Sequence, residues 1–203
     1  MSSGLRLFTI GHSNHPVENL LLMLKQHAIT SVCDVRSSPY SRYVPQFNRE
    51  SIERYLENED IRYVYMGEQL GGRSKDPEHY DHGQIQYDAI AASPAFMSGL
   101  VRLRDEIANE TVALMCTEKD PLNCHRSILV CRHLRQEFEV LHILGDGTLE
   151  TNPELEERLR KSLNIPAQDL FEDYATLIAR AYDLQGKKIA FSSTPENGSA
   201  EKD

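Results

Sequence analysis

Two periodicities alternate along the chain, and together they indicate its fold. Short runs rich in β-branched and aromatic residues are followed by longer segments whose apolar residues recur every three or four positions. The short runs predict strands and the longer segments predict helices, an alternation typical of βαβ units around a mostly parallel sheet. The sequence therefore predicts an α/β fold of three layers, α/β/α and Rossmann-like, with a mostly parallel sheet of about five strands.

The predicted elements can be placed along the chain. Strands are predicted at 5–10, 31–35, 61–66, 111–115 and 140–144. Helices are predicted at 17–24, 49–59, 95–108, 124–137, 153–162 and 171–184. Segments 36–48 and 67–84 follow neither pattern, and the second is long enough to predict a functional loop or a surface excursion.

The patterning also predicts the domain organisation. Residues 1–185 are predicted to form a single α/β domain, in which helices within 152–185 pack on the core. The apolar pattern ends after Gly186, and segments 192–195 and 197–199 are low in apolar residues. Residues 186–203 are therefore predicted to be a disordered tail.

Composition and charge narrow the classes of function. The chain has 22 Lys and Arg against 31 Asp and Glu, a formal net charge of −9 that disfavours non-specific nucleic-acid binding by the whole surface. No stretch approaches the roughly 18 consecutive apolar residues of a membrane span, and the first residues have no secretion-signal pattern. We therefore expect a cytoplasmic protein without a membrane partner, whose four cysteines are free thiols, metal ligands or catalytic groups.

The residues that follow the predicted strands are of types that carry chemistry. In an open parallel sheet, ligands bind beyond the carboxyl ends of the strands. The residues at or just after the ends of the first, second and fourth strands include Gly11, His12, Ser13, Asp34, Arg36, Cys116 and Glu118. We predict that these residues converge on one site.

The segment Cys124-His125-Arg126 begins the helix predicted at 124–137. A cation in the first turn is disfavoured by the helix dipole, so Arg126 there favours an anion receptor that it forms with free N–H groups. The alternative is an ion pair of Arg126 with Glu118 or Asp120. We predict that His125 and Cys116 contact substrate at the same site.

Two carboxylates and a histidine are candidates for acid–base or nucleophilic chemistry. Asp34 and Glu118 stand at strand ends, where desolvation of a carboxylate is costly without a function. Their alternative role is ion pairing with Arg36 and Arg126. His12 could bind phosphate, shuttle a proton or cap the following helix.

The cysteines raise a thiol and a metal hypothesis. A helix start lowers a thiol pKa, so Cys124 is a candidate catalytic thiol, against the alternative of a buried structural cysteine. A zinc site of Cys116, Cys124 and His125 is disfavoured, because the chain has no C-x-x-C pair and residues 124 and 125 are adjacent. No metal and no cofactor are therefore predicted. Cys33 and Cys131 are predicted to be core residues.

A local reversal of charge marks segment 36–49. It has no acidic residue and combines arginines with aromatic residues: Arg36, Tyr40, Arg42, Tyr43, Phe47 and Arg49. This combination is typical of phosphate contacts with base stacking at nucleotide or single-stranded nucleic-acid sites. The alternative is a loop whose aromatic residues pack on the core. Gly71-Gly72-Arg73 adds a flexible segment with another guanidinium, predicted to be a lid over the strand ends.

Six ordered motifs connect the chain to a known family. They are Thr9-Ile10-Gly11-His12-Ser13, Asp34-Val35-Arg36, Pro45-Gln46-Phe47, Leu70-Gly71-Gly72-Arg73, Cys116-Thr117-Glu118 and Cys124-His125-Arg126. Over residues 7–147 the chain resembles the family catalogued as domain of unknown function 488. The resemblance implies an α/β domain found mainly in prokaryotes, and it brings no established reaction.

The leading hypothesis is an enzyme, a hydrolase or transferase acting on a phosphate-bearing substrate. The substrate is predicted to be a small phosphorylated molecule such as a nucleotide, or a single-stranded nucleic acid. Arg126, Arg36 and His12 would hold the anion while Glu118 or Asp34 acts as acid, base or nucleophile. The alternatives are a non-catalytic nucleotide or nucleic-acid binding module, and an enzyme that uses a cysteine thiolate or a metal. The sequence determines no oligomeric state.

Overall fold

The computed structural model describes residues 4–192. Its strands, in chain order, are β1 (Arg6–Gly11), β2 (Ser31–Asp34), β3 (Arg62–Tyr65), β4 (Tyr80–Asp81), β5 (Gln84–Ile85), β6 (Val112–Cys116), β7 (Glu139–Ile143) and β8 (Leu149–Thr151). Its α-helices are α1 (Val17–Gln26), α2 (Arg49–Glu57), α3 (Gly67–Leu70), α4 (Tyr87–Ala92), α5 (Pro94–Asn109), α6 (Asn152–Ser162) and α7 (Tyr174–Ile189).

The central sheet has six strands in the order β3-β2-β6-β1-β7-β8. The five predicted strands are its five parallel members, and β8 pairs antiparallel with β7 at the edge. β8 was not predicted, because a strand of three residues is too short to show the alternation of apolar and polar positions. The three-layer α/β class is confirmed. In a dinucleotide-binding sheet the first two strands of the chain are neighbours, whereas here β6 lies between β1 and β2.

Alternate strand residues fill two different cores, as the period-two geometry of a strand requires. Leu7 and Leu114 face α5 on one side of the sheet. Phe8 and Met115 face α1 and α2 on the other side. α6 and α7 form a third core against the segment that follows β6, where Ile128 is buried. The helices therefore lie on both faces of the sheet.

Local caps fix where the helices begin. Ser93 accepts a hydrogen bond from the Phe96 N–H at the start of α5, and Pro94 occupies the first turn. Thr151 and Glu154 form a reciprocal capping box at the start of α6. Because Thr151 also ends β8, the edge hairpin continues directly into α6.

The prediction of one helix over 124–137 is wrong in its geometry. The chain forms a π-helix over Arg126–Val130, in which the Cys131 N–H donates to the Arg126 carbonyl, and then a 3₁₀ turn over Cys131–His133. Short π segments are frequent at functional sites. The segment is packed from several sides, and tertiary packing overrides the regular period that the sequence shows.

The long loop predicted at 67–84 holds short elements. They are α3, a 3₁₀ turn at Pro77–His79 and the small hairpin of β4 and β5. None of them is long enough to display a helical or strand period.

The predicted start of the tail, residue 186, lies within a helix. α7 continues to Ile189. Phe191 packs against the core that contains Leu7 and Leu114, and its carbonyl accepts a hydrogen bond from the Ile85 N–H at 2.9 Å. The residues of the predicted tail beyond Ser192 lie outside the described residues. Within 4–192, no helix combines the length and the apolar content needed to cross a membrane.

Close packing at the end of β1 gives a first test. A Cβ atom added to Gly11 would lie 1.9 Å from the Glu118 carbonyl oxygen, so Gly11→Ala must push the loop after β6 away from β1. We expect Gly11→Ala to lower the free energy of unfolding by about 1–3 kcal/mol, measured by urea denaturation. Gly4→Ala is the control, since nothing lies within 4 Å of its added Cβ. Equal stability of the two variants would contradict this packing.

Candidate functional site

A cleft of about 500 Å³ opens beyond the carboxyl ends of β2 and β6. The chain leaves these neighbouring strands toward opposite faces, since α2 joins one core and residues 124–134 join the other. Such a divergence creates the crevice in which open α/β sheets bind ligands. The predicted site residues that line the cleft are Arg36, Tyr40, Arg73, Cys116, Glu118 and His125.

Four side chains meet at the floor of the cleft and are called here the thiol cluster: Cys116, Glu118, Cys124 and His125. The Glu118 Oε2 atom lies 3.1 Å from the Cys116 Sγ and 3.0 Å from the Cys124 Sγ. The Cys116 Sγ lies 3.6 Å from the His125 Nδ1. One nitrogen, oxygen or sulfur atom from each of the four lies within 4.8 Å of all the others. Cys124 is buried below the cleft surface.

The sequence argument that adjacent residues 124 and 125 are poorly placed together is wrong. Cys124 has an extended backbone, with φ −134° and ψ 136°, whereas His125 is helical, with φ −60° and ψ −26°. The chain turns between the two residues, and their side chains converge instead of pointing apart. Periodicity cannot reveal such a change within one peptide unit.

The four side chains of the thiol cluster shift one another's pKa values. Burial opposes ionisation of Cys124, but a hydrogen bond with Cys116 and the positive charges of Arg126 and His125 hold the Cys124 pKa well below its ordinary value. Burial and the neighbouring Cys124 raise the pKa of Glu118, and burial raises the pKa of Cys116.

His125 is held in one orientation. Its Nε2–H donates to the Val35 carbonyl at 3.0 Å, which directs Nδ1 toward the sulfur atoms. Hydrogen bonding and charge attraction from Cys124 outweigh burial and raise the His125 pKa. A Cβ atom on Gly72 would lie 2.7 Å from the His125 ring, so Gly72 is needed for close approach of its loop to the imidazole. The Gly-Gly sequence was the only signal of this contact.

Arg126 does not reach the cleft as predicted. It is fully buried, and its Nη1 donates to the Glu118 carbonyl at 2.7 Å. The alternative ion pair is absent as well: residues 4–192 provide no carboxylate partner for Arg126, and Asp120 pairs with Arg158. Its Nε donates to the Thr9 hydroxyl at 3.4 Å. Arg126 therefore positions the loop that carries Glu118.

A series of buried polar side chains, linked by hydrogen bonds, extends from Arg126 into the core. The Thr9 hydroxyl and the His142 Nδ1 lie 2.9 Å apart, and the His142 Nε2 faces the Asn152 Oδ1 at 3.4 Å. Burial lowers the pKa of His142 to about 3, so this imidazole is neutral and can link the two hydrogen bonds. Sequence reasoning named Thr9 in a family motif but predicted no role for it, although a polar residue within an apolar strand was a second signal.

Asp34 and His12 lie beneath the cleft in a second buried group. Asp34 accepts from the Nε and Nη2 of Arg36 at 2.9 and 2.6 Å and from the Tyr63 hydroxyl at 2.8 Å. The His12 ring stacks on Phe47 with centroids 4.2 Å apart, and its Nδ1–H donates to the Ser13 carbonyl. Burial and Arg36 lower the His12 pKa to about 4, so its Nε2 accepts from Arg36. For Asp34 these contacts favour the alternative of an ion pair with Arg36, whereas His12 does not cap the following helix, since no side chain among the described residues caps α1.

Segment 36–49, called here the aromatic loop, has both buried and exposed aromatic residues. Phe47 is buried in the second core, whereas Tyr40 and Tyr43 are 55% and 78% exposed. Arg42 lies over the Tyr43 ring, outside the cleft. Of the other predicted substrate contacts, Gly11 packs on the Glu118 backbone and Ser13 forms a turn with φ 49°, so neither lines the cleft.

Comparison with known proteins identifies the family. A family model described as "Domain of unknown function DUF488" matches residues 16–132, more than half of the chain. The chain belongs to this family. The predicted resemblance to this family is confirmed, over a narrower range than the predicted 7–147: the match holds five of the six motifs, without Thr9-Ile10-Gly11-His12-Ser13, and includes all four residues of the thiol cluster. No curated protein and no solved structure matches the chain.

Two of the three histidines that are buried within residues 4–192, His12 and His142, have lowered pKa values and predict how the stability of this DUF488 member falls with pH. The pKa values of His12 and His142, about 4 and about 3, lie below the ordinary 6.5, so the unfolded chain binds more protons as the pH falls below 6.5. Each histidine should then lower the free energy of unfolding by about 1.4 kcal/mol per pH unit between pH 6 and 4.

Urea denaturation at several pH values checks this expectation. His142→Gln should be less stable near neutral pH and show a shallower pH slope, because one of the two protonation sites is gone. An unchanged slope in His142→Gln would contradict the neutral state assigned to His142.

Proposed function

We propose that this protein is an enzyme, a hydrolase or transferase that binds a phosphate-bearing substrate in the cleft and uses Glu118 as its acid–base or nucleophilic group. The observation that carries the proposal is the composition of the cleft. A guanidinium and aromatic rings form its walls, and a carboxylate and a thiol form its floor.

Arg73 supports the choice of an anionic substrate. Its side chain is exposed at the cleft and has no ion-pair partner among residues 4–192. The guanidinium lies over the Phe191 ring with 4.3 Å to the ring centroid, and the Arg73 N–H donates to the Ser37 hydroxyl at 2.8 Å. Arginine binds phosphate through paired N–H donors. Arg73 therefore gives the cleft a guanidinium whose positive charge no carboxylate among residues 4–192 neutralises.

Aromatic surfaces support a nucleotide over a simple phosphorylated sugar. Tyr40, Tyr87 and Phe191 line the same cleft as Arg73. Bases stack on aromatic side chains and on arginine planes, whereas sugars offer no flat π surface. A nucleotide, or a nucleotide within a single strand, therefore fits the cleft best.

Glu118 is the carboxylate that lines the cleft, whereas Asp34 is enclosed below it. Its backbone carbonyl is fixed by Arg126 and its position by the packing of Gly11. A carboxylate held at the floor of a cleft can transfer a proton to or from a scissile phosphoester or glycosidic bond, or attack it. This role is assigned to Glu118 alone.

A thiol reaction is the second candidate, and the contacts of Cys116 favour it. Cys116 lines the cleft, its sulfur lies next to Glu118 and the His125 imidazole, and the pKa of the neighbouring Cys124 is held well below its ordinary value, as a nucleophilic thiolate requires. This candidate requires that alkylation of Cys116 or Cys124 abolishes activity and that bound substrate protects the thiol. A non-catalytic binding module would instead bind nucleotides without turnover.

Thermal unfolding with a ligand panel tests the anion site. Nucleotides, sugar phosphates and short single-stranded oligonucleotides are compared at one common concentration, and a ligand present at about 100 times its Kd should add roughly 2.7 kcal/mol, a rise of about 5–10 °C. Nucleotides should give the largest rise, and Arg73→Ala should abolish it. Arg6→Ala is the matched control, because Arg6 also packs on a phenylalanine but stands at the opposite end of β1. Equal rises in both variants would refute the role of Arg73.

Replacement of Glu118 tests the chemistry once a ligand has been found. Glu118→Gln keeps the size of the side chain and removes its acid–base function, so turnover should fall by about 10²–10⁴-fold while ligand-induced stabilisation persists. The exposed Glu57→Gln is the control for loss of one carboxylate. Full turnover by Glu118→Gln would eliminate the proposed mechanism, and binding without turnover by the unaltered protein would favour a binding module.

A further inference from the structure

We propose that the thiol cluster is a zinc site, in which Cys116, Cys124 and His125 bind one Zn²⁺ ion and the fourth position of the tetrahedral shell lies beside the Glu118 carboxylate. The expectation of no metal depended on the lack of a C-x-x-C pair and on the adjacency of residues 124 and 125, and the convergence of these two side chains removes the second premise. The proposal deepens the proposed function by giving the cleft a metal, but zinc binding itself does not depend on the identity of the substrate.

The donor atoms have the arrangement that a small ion requires. All four lie within 4.8 Å of one another, and three of their separations are 3.0, 3.1 and 3.6 Å. Bonds of about 2.3 Å to sulfur and 2.0–2.2 Å to nitrogen and oxygen place the ligands of a zinc ion at similar mutual distances. Small side-chain rotations therefore suffice to bring Cys116, Cys124 and His125 onto one ion.

His125 already has the support that metal-binding histidines need. Its Nε2–H donates to the Val35 carbonyl, which directs Nδ1 at the sulfur atoms, so that Nδ1 would present its lone pair to a metal ion that displaces its proton. Metal-bound imidazoles typically donate their second N–H to a carbonyl or carboxylate, which fixes both tautomer and orientation. Gly72 covers the ring without a side chain and keeps it in place.

Charge balance also fits a zinc ion. Two thiolates and one carboxylate around Zn²⁺ leave one negative charge in a buried setting. Arg126 is fully buried beside the cluster, lacks an ion-pair partner within 4–192 and supplies the compensating positive charge. Buried charges are otherwise costly unless they are paired.

The donor types select the class of ion. Two thiolates and an imidazole favour zinc over the oxygen-seeking Mg²⁺ and Ca²⁺. Cys116, Glu118 and His125 line the cleft and Cys124 is buried below its surface, so the fourth ligand position, beside Glu118, faces the substrate space. An ion bound there could polarise a substrate oxygen at the site assigned to Glu118.

Metal analysis of the full chain tests the proposal directly. Protein purified under reducing conditions without a metal-affinity column and loaded with Zn²⁺ should retain about one zinc per chain after dialysis. Co²⁺ in its place should give sulfur-to-cobalt charge-transfer bands and the intense visible bands of tetrahedral coordination. Absence of both retained zinc and the cobalt spectrum would overturn the proposal, and this readout needs no variant.

Matched variants locate the site. Cys116→Ala should reduce zinc affinity by more than the roughly 10–100-fold typical of lost outer-shell partners. Cys131→Ala, which removes another fully buried thiol outside the cluster, should retain zinc and the cobalt spectrum. Circular dichroism establishes that both variants fold. Retention of zinc by Cys116→Ala would overturn the assignment.

The ligand panel, repeated with zinc-loaded and chelated protein, separates the two proposals. Retained zinc without stabilisation by any phosphate ligand would overturn the proposed function and leave the metal site standing. Stabilisation by nucleotides in protein that binds no zinc would do the reverse.

Discussion

The buried guanidinium of Arg126 is the interaction on which the candidate site depends. It donates to the carbonyls of Glu118 and Lys119 and to the hydroxyl of Thr9, and thereby joins the loop after β6 to the centre of β1. A fully buried arginine is costly to desolvate unless most of its donors are used. Its hydrogen bonds fix the loop, and the loop fixes the carboxylate at the floor of the cleft.

The same residue links the site to the irregular backbone around it. Arg126 begins the π-helix, directly after Cys124 and His125 have changed from extended to helical conformation. This local geometry brings a thiol and an imidazole from adjacent positions to the same point. A regular α-helix starting at Cys124 would give the two residues similar backbone angles and direct their side chains about 100° apart around the helix axis.

Two groups of polar residues with different roles lie one above the other at the strand ends. The lower group, centred on Asp34 and Arg36, satisfies its hydrogen bonds internally and keeps His12 neutral. It shapes the aromatic loop through the bond from Arg36 to the Phe47 carbonyl. The upper group, which is the thiol cluster, retains hydrogen-bond donors and acceptors that face the cleft. Side chains with free bonding capacity are the ones available for chemistry.

The sequence by itself determined the strands, the α/β class and the family, because hydrophobic periodicity and ordered motifs are local properties of the chain. It also placed Cys116, Glu118 and His125 near a common edge, since all follow one predicted strand. Only the tertiary structure decided the strand order, the burial of Arg126 and Asp34, and the meeting of Cys124 with His125. Those outcomes depend on single backbone angles and on contacts between distant segments, which leave no period in the sequence.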